Sequence, residues 1–165
     1  MNPATIAFVG LGGNVGDAAA TLREALSALD RLPDTRQLRA SRLYRTPAWG
    51  RVEQADFVNA AVKLETRLDA RGLLDALLEV ERQFGRERDD AQLRWGPRTL
   101  DLDLLLFGEG AIDEPGLRVP HPHLHERAFA LVPLVEIEPE VVIPGHGTAR
   151  SALAAVAARG IEALP

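Results

Sequence analysis

Asp56-Phe57-Val58-Asn59-Ala60-Ala61-Val62-Lys63-Leu64-Glu65-Thr66 alternates along its whole length. Val58, Ala60, Val62 and Leu64 share one face of an extended chain, and Phe57, Asn59, Ala61, Lys63 and Glu65 share the other. Working outward, Gln37–Arg45 reads as a second strand that stops before Pro47. Before it, Asp17 is placed as the N-cap of a helix to about Leu32, with Leu22, Ala25, Leu26 and Leu29 at helical spacing. Thr5–Leu11 is a short apolar run ending in Gly, read as a buried first strand. On the other side, Asp69 caps a helix whose Leu73, Leu74, Leu77, Val80, Glu81 and Phe84 run to a stop at Gly85. Arg86–Pro97 is a polar loop, Thr99–Phe107 a strand, and the remainder adds helices near Glu126–Glu136 and Ala149–Ala158. The order β-α-β-β-α-β predicts an α+β, ferredoxin-like sandwich: an antiparallel sheet with helices on one face and C-terminal additions.

At 165 residues the chain is expected to be one domain, 1–165, able to bury a core without staples. It has no Cys, which excludes disulfides, a thiolate nucleophile and a Cys-ligated zinc. No stretch has the length and apolarity of a membrane span, and there is no leader-like start, so a cytoplasmic location is expected, with no membrane partner. The net charge of −5 argues against general nucleic-acid affinity. Against that acidic background, five Arg fall between Arg82 and Arg98, beside only Glu87, Asp89 and Asp90. A basic loop in an acidic chain points to a focused anion site, although Arg is the chain's habitual cation and Lys63 its only Lys.

The strand Leu100-Asp101-Leu102-Asp103-Leu104-Leu105-Leu106-Phe107 carries the clearest chemistry. Asp is depleted in strands, and alternation puts Asp101 and Asp103 together on one face, with Leu100, Leu102, Leu104 and Leu106 on the other. Two such carboxylates either form a solvated polar face or hold a hard cation such as Mg²⁺ together with substrate phosphates. Arg94-Trp95-Gly96-Pro97-Arg98 leads directly into this strand, and Gly85-Arg86-Glu87-Arg88 precedes it. Arg forks match phosphate oxygens in pairs, so this context favours the metal-and-phosphate reading over a solvated Arg-rich loop.

Thr46-Pro47-Ala48-Trp49-Gly50, with Phe57 and Asn59 beyond it, offers an aromatic face and an amide on one strand face. Such residues either pack a core or stack on and read the edge of a heterocycle. Val119-Pro120-His121-Pro122-His123-Leu124-His125-Glu126-Arg127 holds three of the four His. Its spacing matches no metalloprotease set, so a zinc site stands beside phosphate or ribose contacts from His121 and Arg127, or simple exposure of His123 and His125. Gly10-Leu11-Gly12-Gly13-Asn14-Val15-Gly16-Asp17 lacks the ending of a phosphate-binding P-loop and reads as a tight strand-to-helix turn that can line a pocket with its backbone groups.

Taken together, these segments resemble the 6-hydroxymethyl-7,8-dihydropterin pyrophosphokinases of folate biosynthesis. The resemblance runs from about Ile6 to Pro144 and is most specific over Arg94–Asp103, supported by Tyr44-Arg45-Thr46-Pro47, Asp56–Val62 and Val119-Pro120-His121. It implies transfer of the β,γ-diphosphoryl unit of ATP to the primary alcohol of a dihydropterin, leaving AMP. The chain is expected to act as a monomer. Asp101 and Asp103 would hold two Mg²⁺ ions on the ATP phosphates, and Arg86 and Arg98 would act with them in catalysis. His121 and Arg127, together with Arg98, would contact phosphates or ribose, with Glu81, Arg88 and Trp95 around the nucleotide. Phe57 and Phe129 would sandwich the pterin, Asn59 would read its edge, and Thr46, Pro47 and Trp49 would line the pocket. Phe57 stands where members often carry Tyr, so stacking is kept and a hydroxyl contact is lost. Leu78 replaces a Gln found in some members. Two other classes remain as alternatives: a nucleotidyl transferase, which would release pyrophosphate rather than AMP, and an RNA-recognition fold, whose sheet Asp101 and Asp103 would make repulsive to RNA. A small-molecule regulatory domain would have no use for the Arg and Asp constellation.

Overall fold

The computed structural model describes residues 2–47, 56–85 and 99–165. At its centre lies β1 (Thr5–Gly13), nine residues long and antiparallel to both neighbours. On one side runs β4 (Phe57–Thr66), from Thr5 opposite Thr66 to Gly13 opposite Val58. On the other runs β5 (Asp101–Phe107). Beyond β4 the predicted second strand appears as two pieces, β2 (Thr35–Ala40) and β3 (Tyr44–Thr46), both paired to β4. Ser41 explains the break. Its amide still donates to the Ala61 carbonyl at 2.9 Å, but the Ala61 amide is met by the Ser41 hydroxyl at 2.9 Å instead of a main-chain carbonyl. A side chain in the ladder lets the strand bend without orphaning a backbone group.

α1 (Ala18–Asp30) starts where expected, with the Asp17 carboxylate accepting the Ala20 amide at 3.1 Å. α2 (Ala70–Gly85) starts the same way, Asp69 accepting from the Gly72 amide at 2.7 Å, and ends at the predicted Gly85. Both helices lie on one face of the sheet. Leu22, Ala25, Leu29, Leu73, Leu77 and Val80 interlock there with Val9, Leu11, Ala60, Val62, Leu64, Leu102 and Leu104. The strand order, the connection β1-α1-β2/β3 straddling β4, and the packing make this the expected ferredoxin-like sandwich.

The C-terminal additions begin with the hairpin β6 (Ile112–Glu114) and β7 (Leu117–Val119), which packs Leu117 and Val119 onto this first core. A 3₁₀ turn at Leu124–Glu126, α3 (Ala128–Ile137), the hairpin β8 (Val142–Ile143) and β9 (Gly147–Thr148), and α4 (Ala149–Ala154) follow on the opposite face, and β10 (Glu162–Ala163) extends the sheet beside β3. Leu124, Leu131, Leu134, Ile137, Ile143 and Ala149 build a second core on Phe8, Ala61, Leu105 and Leu106. Leu106 corrects the alternation argument. A bulge in the β1–β5 ladder sends Leu105 and Leu106 to the same side, so Leu106 joins the second core and not Leu100, Leu102 and Leu104. The last helix is also shorter than expected, ending at Ala154. No helix among the described residues is long and apolar enough to cross a membrane.

Candidate active site

The face of β1 turned toward the second core carries Ile6 and Phe8 and continues with Gly10 and Gly12, which have no side chain. Those two positions floor a cleft of about 380 Å³. A Cβ at Gly12 would make an ordinary contact 3.4 Å from the Asn59 amide nitrogen, and one at Gly10 would sit 3.4 Å from Leu105, so glycine at these positions keeps the cleft open and is not demanded by packing. Gly10, Gly12 and Gly13 are strand residues, and the turn expected of them begins only after Gly13.

Register places the chemistry around this floor. Asn59 on β4 and Asp101 on β5 both lie directly opposite Gly12, so the three form one row across the sheet. Asp103 is opposite Gly10 in the next row on that face. With strands about 4.8 Å apart, the Asn59 and Asp101 backbones are about 10 Å apart with no side chain between them. Thr46 faces Phe57 across β3 and β4, and Pro47 follows it. From the opposite wall, Arg127 caps α3, and Phe129 and Ala130 follow in its first turn. Thr46, Pro47, Phe57, Asn59, Asp101, Asp103, Arg127 and Phe129 all line the cleft, so eight of the expected site residues converge on one cavity.

Two buried polar atoms point to a ligand. Asn59 is only 6 % exposed and Thr46 only 5 %, yet the Asn59 Oδ1 and the Thr46 Oγ1 have no hydrogen-bond partner among the described residues. A buried polar group left unpaired is costly unless something arrives to satisfy it.

On the β5 side the electrostatics are crowded. Glu81 reaches from α2 to accept the Leu102 amide at 2.6 Å, between the two aspartates. Its carboxyl is pushed up to about 7, chiefly by burial, with the Leu102 amide opposing the shift and Asp101 and Asp103 adding to it. His121 Nε2 lies 3.9 Å from Asp103 Oδ1. Burial, then Arg127 and His123, hold the His121 pKa below its ordinary value, so its ring is neutral near pH 7 and meets an oxygen by hydrogen bonding. The rest of the histidine run turns elsewhere: His125 stacks on His146 with centroids 3.7 Å apart, and both His123 and His125 approach Glu126. Among the described residues no three His, Asp or Glu side chains are grouped to hold a metal ion. Trp49, Arg86, Arg88, Trp95 and Arg98 lie outside the described residues.

Comparison with known proteins identifies the family. The family model described as 7,8-dihydro-6-hydroxymethylpterin-pyrophosphokinase matches residues 8–139. The chain belongs to this pyrophosphokinase family. A pyrophosphokinase of Pseudomonas aeruginosa is 46% identical over 158 residues, covering 96% of each chain. One of Methylorubrum extorquens is 45% identical over 158 residues, covering 96% of this chain and 98% of that one. Both are named 2-amino-4-hydroxy-6-hydroxymethyldihydropteridine pyrophosphokinase. Among solved structures, the wild-type HPPK-DHPS of Plasmodium falciparum aligns with a TM-score of 0.74 at 16% identity, a likeness that speaks to the fold alone. The alignment takes in 94% of this chain and 45% of that one, so the chain spans less than half its length. As a pyrophosphokinase of this family, the protein is a transferase that uses ATP as co-substrate and acts on hydroxymethyldihydropterin in folate biosynthesis.

The glycine segment expected to be a turn lining a pocket floors the cleft as part of a strand, whereas Leu105 and Ala130 were not singled out from sequence. The glycine floor had a readable signal, Gly at alternate positions 10 and 12 of a strand. Leu105 and Ala130, which complete the walls, look like any core residue in sequence.

Proposed function

We propose that the acceptor ring lies over Gly12, with its edge on Asn59 and Thr46 and its alcohol toward Asp101. The observation that carries this reading is the row Asn59–Gly12–Asp101, with an unpartnered buried acceptor at one end and a metal-type carboxylate at the other. Phe57 and Phe129 enclose the faces of the ring. Asn59 Oδ1 takes a ring N–H, and the Thr46 hydroxyl can donate or accept beside it.

Asp101 and Asp103 are the residues to hold Mg²⁺. The donor set fits: hard carboxylate oxygens, two in number, leaving the remaining coordination to phosphate oxygens and water as Mg²⁺ prefers. When bound, Mg²⁺ supplies charge neutralisation and alignment of the ATP phosphates; two ions are expected. Arg127 and His121 face the same end of the cleft and take phosphate or ribose oxygens. Glu81, through the Leu102 amide, fixes the strand between the two aspartates. Arg98 and Arg86 are assigned to the migrating group, Arg88 and Trp95 to the nucleotide, and Trp49 to acceptor binding. The acceptor oxygen then bonds to the β-phosphorus as the bond from that phosphorus to the α-phosphate oxygen breaks. The alcohol loses its proton, AMP leaves, and the pterin diphosphate remains. Positioning and charge stabilisation carry most of such a reaction. The same reading has the enzyme acting in the cytoplasm as a monomer.

Product analysis with ATP, Mg²⁺ and 6-hydroxymethyl-7,8-dihydropterin tests the assignment. Wild type should give AMP and the pterin diphosphate, while Asp101→Ala and Asp103→Ala should each lose at least about a hundredfold in kcat. Turnover surviving both substitutions would reject the metal assignment. Unchanged acceptor binding in Asn59→Ala would reject the ring assignment.

A further inference from the structure

Tyr44 stands in the same cross-strand row as Asn59, Gly12 and Asp101, directly opposite Asn59, yet it does not line the cleft. It is buried, and its hydroxyl donates to the Glu136 carboxylate on α3. The same carboxylate receives the Arg42 backbone amide at 3.2 Å and the Arg42 Nε at 3.4 Å. The Arg42 guanidinium also sits 5.7 Å over the Tyr44 ring and reaches the phenol oxygen at 3.4 Å. Three donors on one half-buried carboxylate make this a satisfied knot and not a stray surface pair.

Its place in the fold gives the knot a use. Phe129 and Glu136 are seven residues apart on α3, so they share one helix face about 10 Å apart. Tyr44 and Thr46 share one face of β3 about 7 Å apart. Bonding Tyr44 to Glu136 therefore ties the sheet wall that carries Thr46 and Asn59 to the helix that carries Phe129. We infer that the Tyr44–Glu136 pair is a positioning device that sets the width of the ring slot, and hence acceptor affinity, without touching the acceptor. This rests on the ring assignment proposed above. A slot that closes on both faces of a flat ring is sensitive to width, because a gap of 0.5–1 Å forfeits roughly a quarter to a half of the dispersion attraction.

The test is Tyr44→Phe with the acceptor and ATP varied separately. The phenol oxygen is lost, while Glu136 keeps Arg42 and the fold keeps its ties. Acceptor KM and directly measured acceptor Kd should rise about tenfold, with kcat and the KM for ATP within about twofold of wild type. Glu136→Gln, which keeps an oxygen for the phenol, should fall between wild type and Tyr44→Phe. An unchanged acceptor KM in Tyr44→Phe overturns the inference. So does an equal rise in both KM values, which would mark a merely structural role. If Tyr44→Phe is silent while Phe57→Ala and Asn59→Ala weaken acceptor binding, the positioning role alone fails. If those two are silent as well, the ring assignment itself falls.

Discussion

Asn59 and Thr46 each bury an oxygen that finds no partner among the described residues, a state that costs about 1–3 kcal/mol per group. Such a cost persists where a ligand removes it, and that gives the site a measurable trade-off between stability and binding. Thr46→Val, nearly the same shape without the hydroxyl, should raise the Tm of the ligand-free protein by about 2–4 °C and weaken acceptor binding; calorimetry with and without acceptor reads both. Tyr44 gives a second handle, since it is the sole Tyr of the chain. Burial, then the Glu136 carboxylate, hold its phenol pKa above the ordinary value. The unfolded chain therefore releases this proton first, near pH 10. The contribution to stability is complete below that pH and is lost as pH rises through the folded value. Tyrosinate absorbance should show a midpoint above that of free tyrosine, and Glu136→Gln should lower it. Asn59 was readable in sequence because an amide interrupts an apolar alternation. The partnership of Tyr44 was not, because Glu136 lies 92 residues away and only packing brings the two together.

Among the elements, the alternating strand β4 and the capped helices α1 and α2 were legible because each follows from local chemistry: period two, Asp at the start, Gly at the end. β1 was legible as a strand but not to its end. A run of glycines reads as a turn unless one knows that a neighbour on each side pairs with it. The bulge in β5 was hidden for a related reason, since Leu105 and Leu106 are equally at home in either core. The glycine floor yields a prediction at this scale. Gly12→Ala needs no unusual backbone angle, and its added methyl meets the Asn59 amide at 3.4 Å and the Val58 carbonyl oxygen at 3.9 Å, both ordinary contacts. The variant should fold with little change in melting temperature yet bind the acceptor about tenfold more weakly. Titration calorimetry against the acceptor and against MgATP should show the loss for the acceptor alone.

For the molecule as a whole, the sequence pointed to one sandwich and the structure has two cores, one on each side of a shared sheet. The second core is built from short elements whose apolar residues show no long period, which is why residues beyond Phe107 suggested additions more than a layer. Leu77 in the first core and Leu134 in the second are both fully buried, so Leu77→Ala and Leu134→Ala should each cost about 2–5 kcal/mol. Denaturant melts should remain single transitions in both, because the sheet belongs to both cores. Only Leu134→Ala should also raise the acceptor KM, since it loosens the layer that carries Phe129. The cleft between these layers exists because atoms are missing from β1, and that bears on inhibition. A compound that presses on Gly10 and Gly12 no more than the natural ring does leaves resistance little room there, because any side chain added to exclude the drug also excludes the substrate. A compound anchored on the walls leaves many single substitutions by which the enzyme can escape.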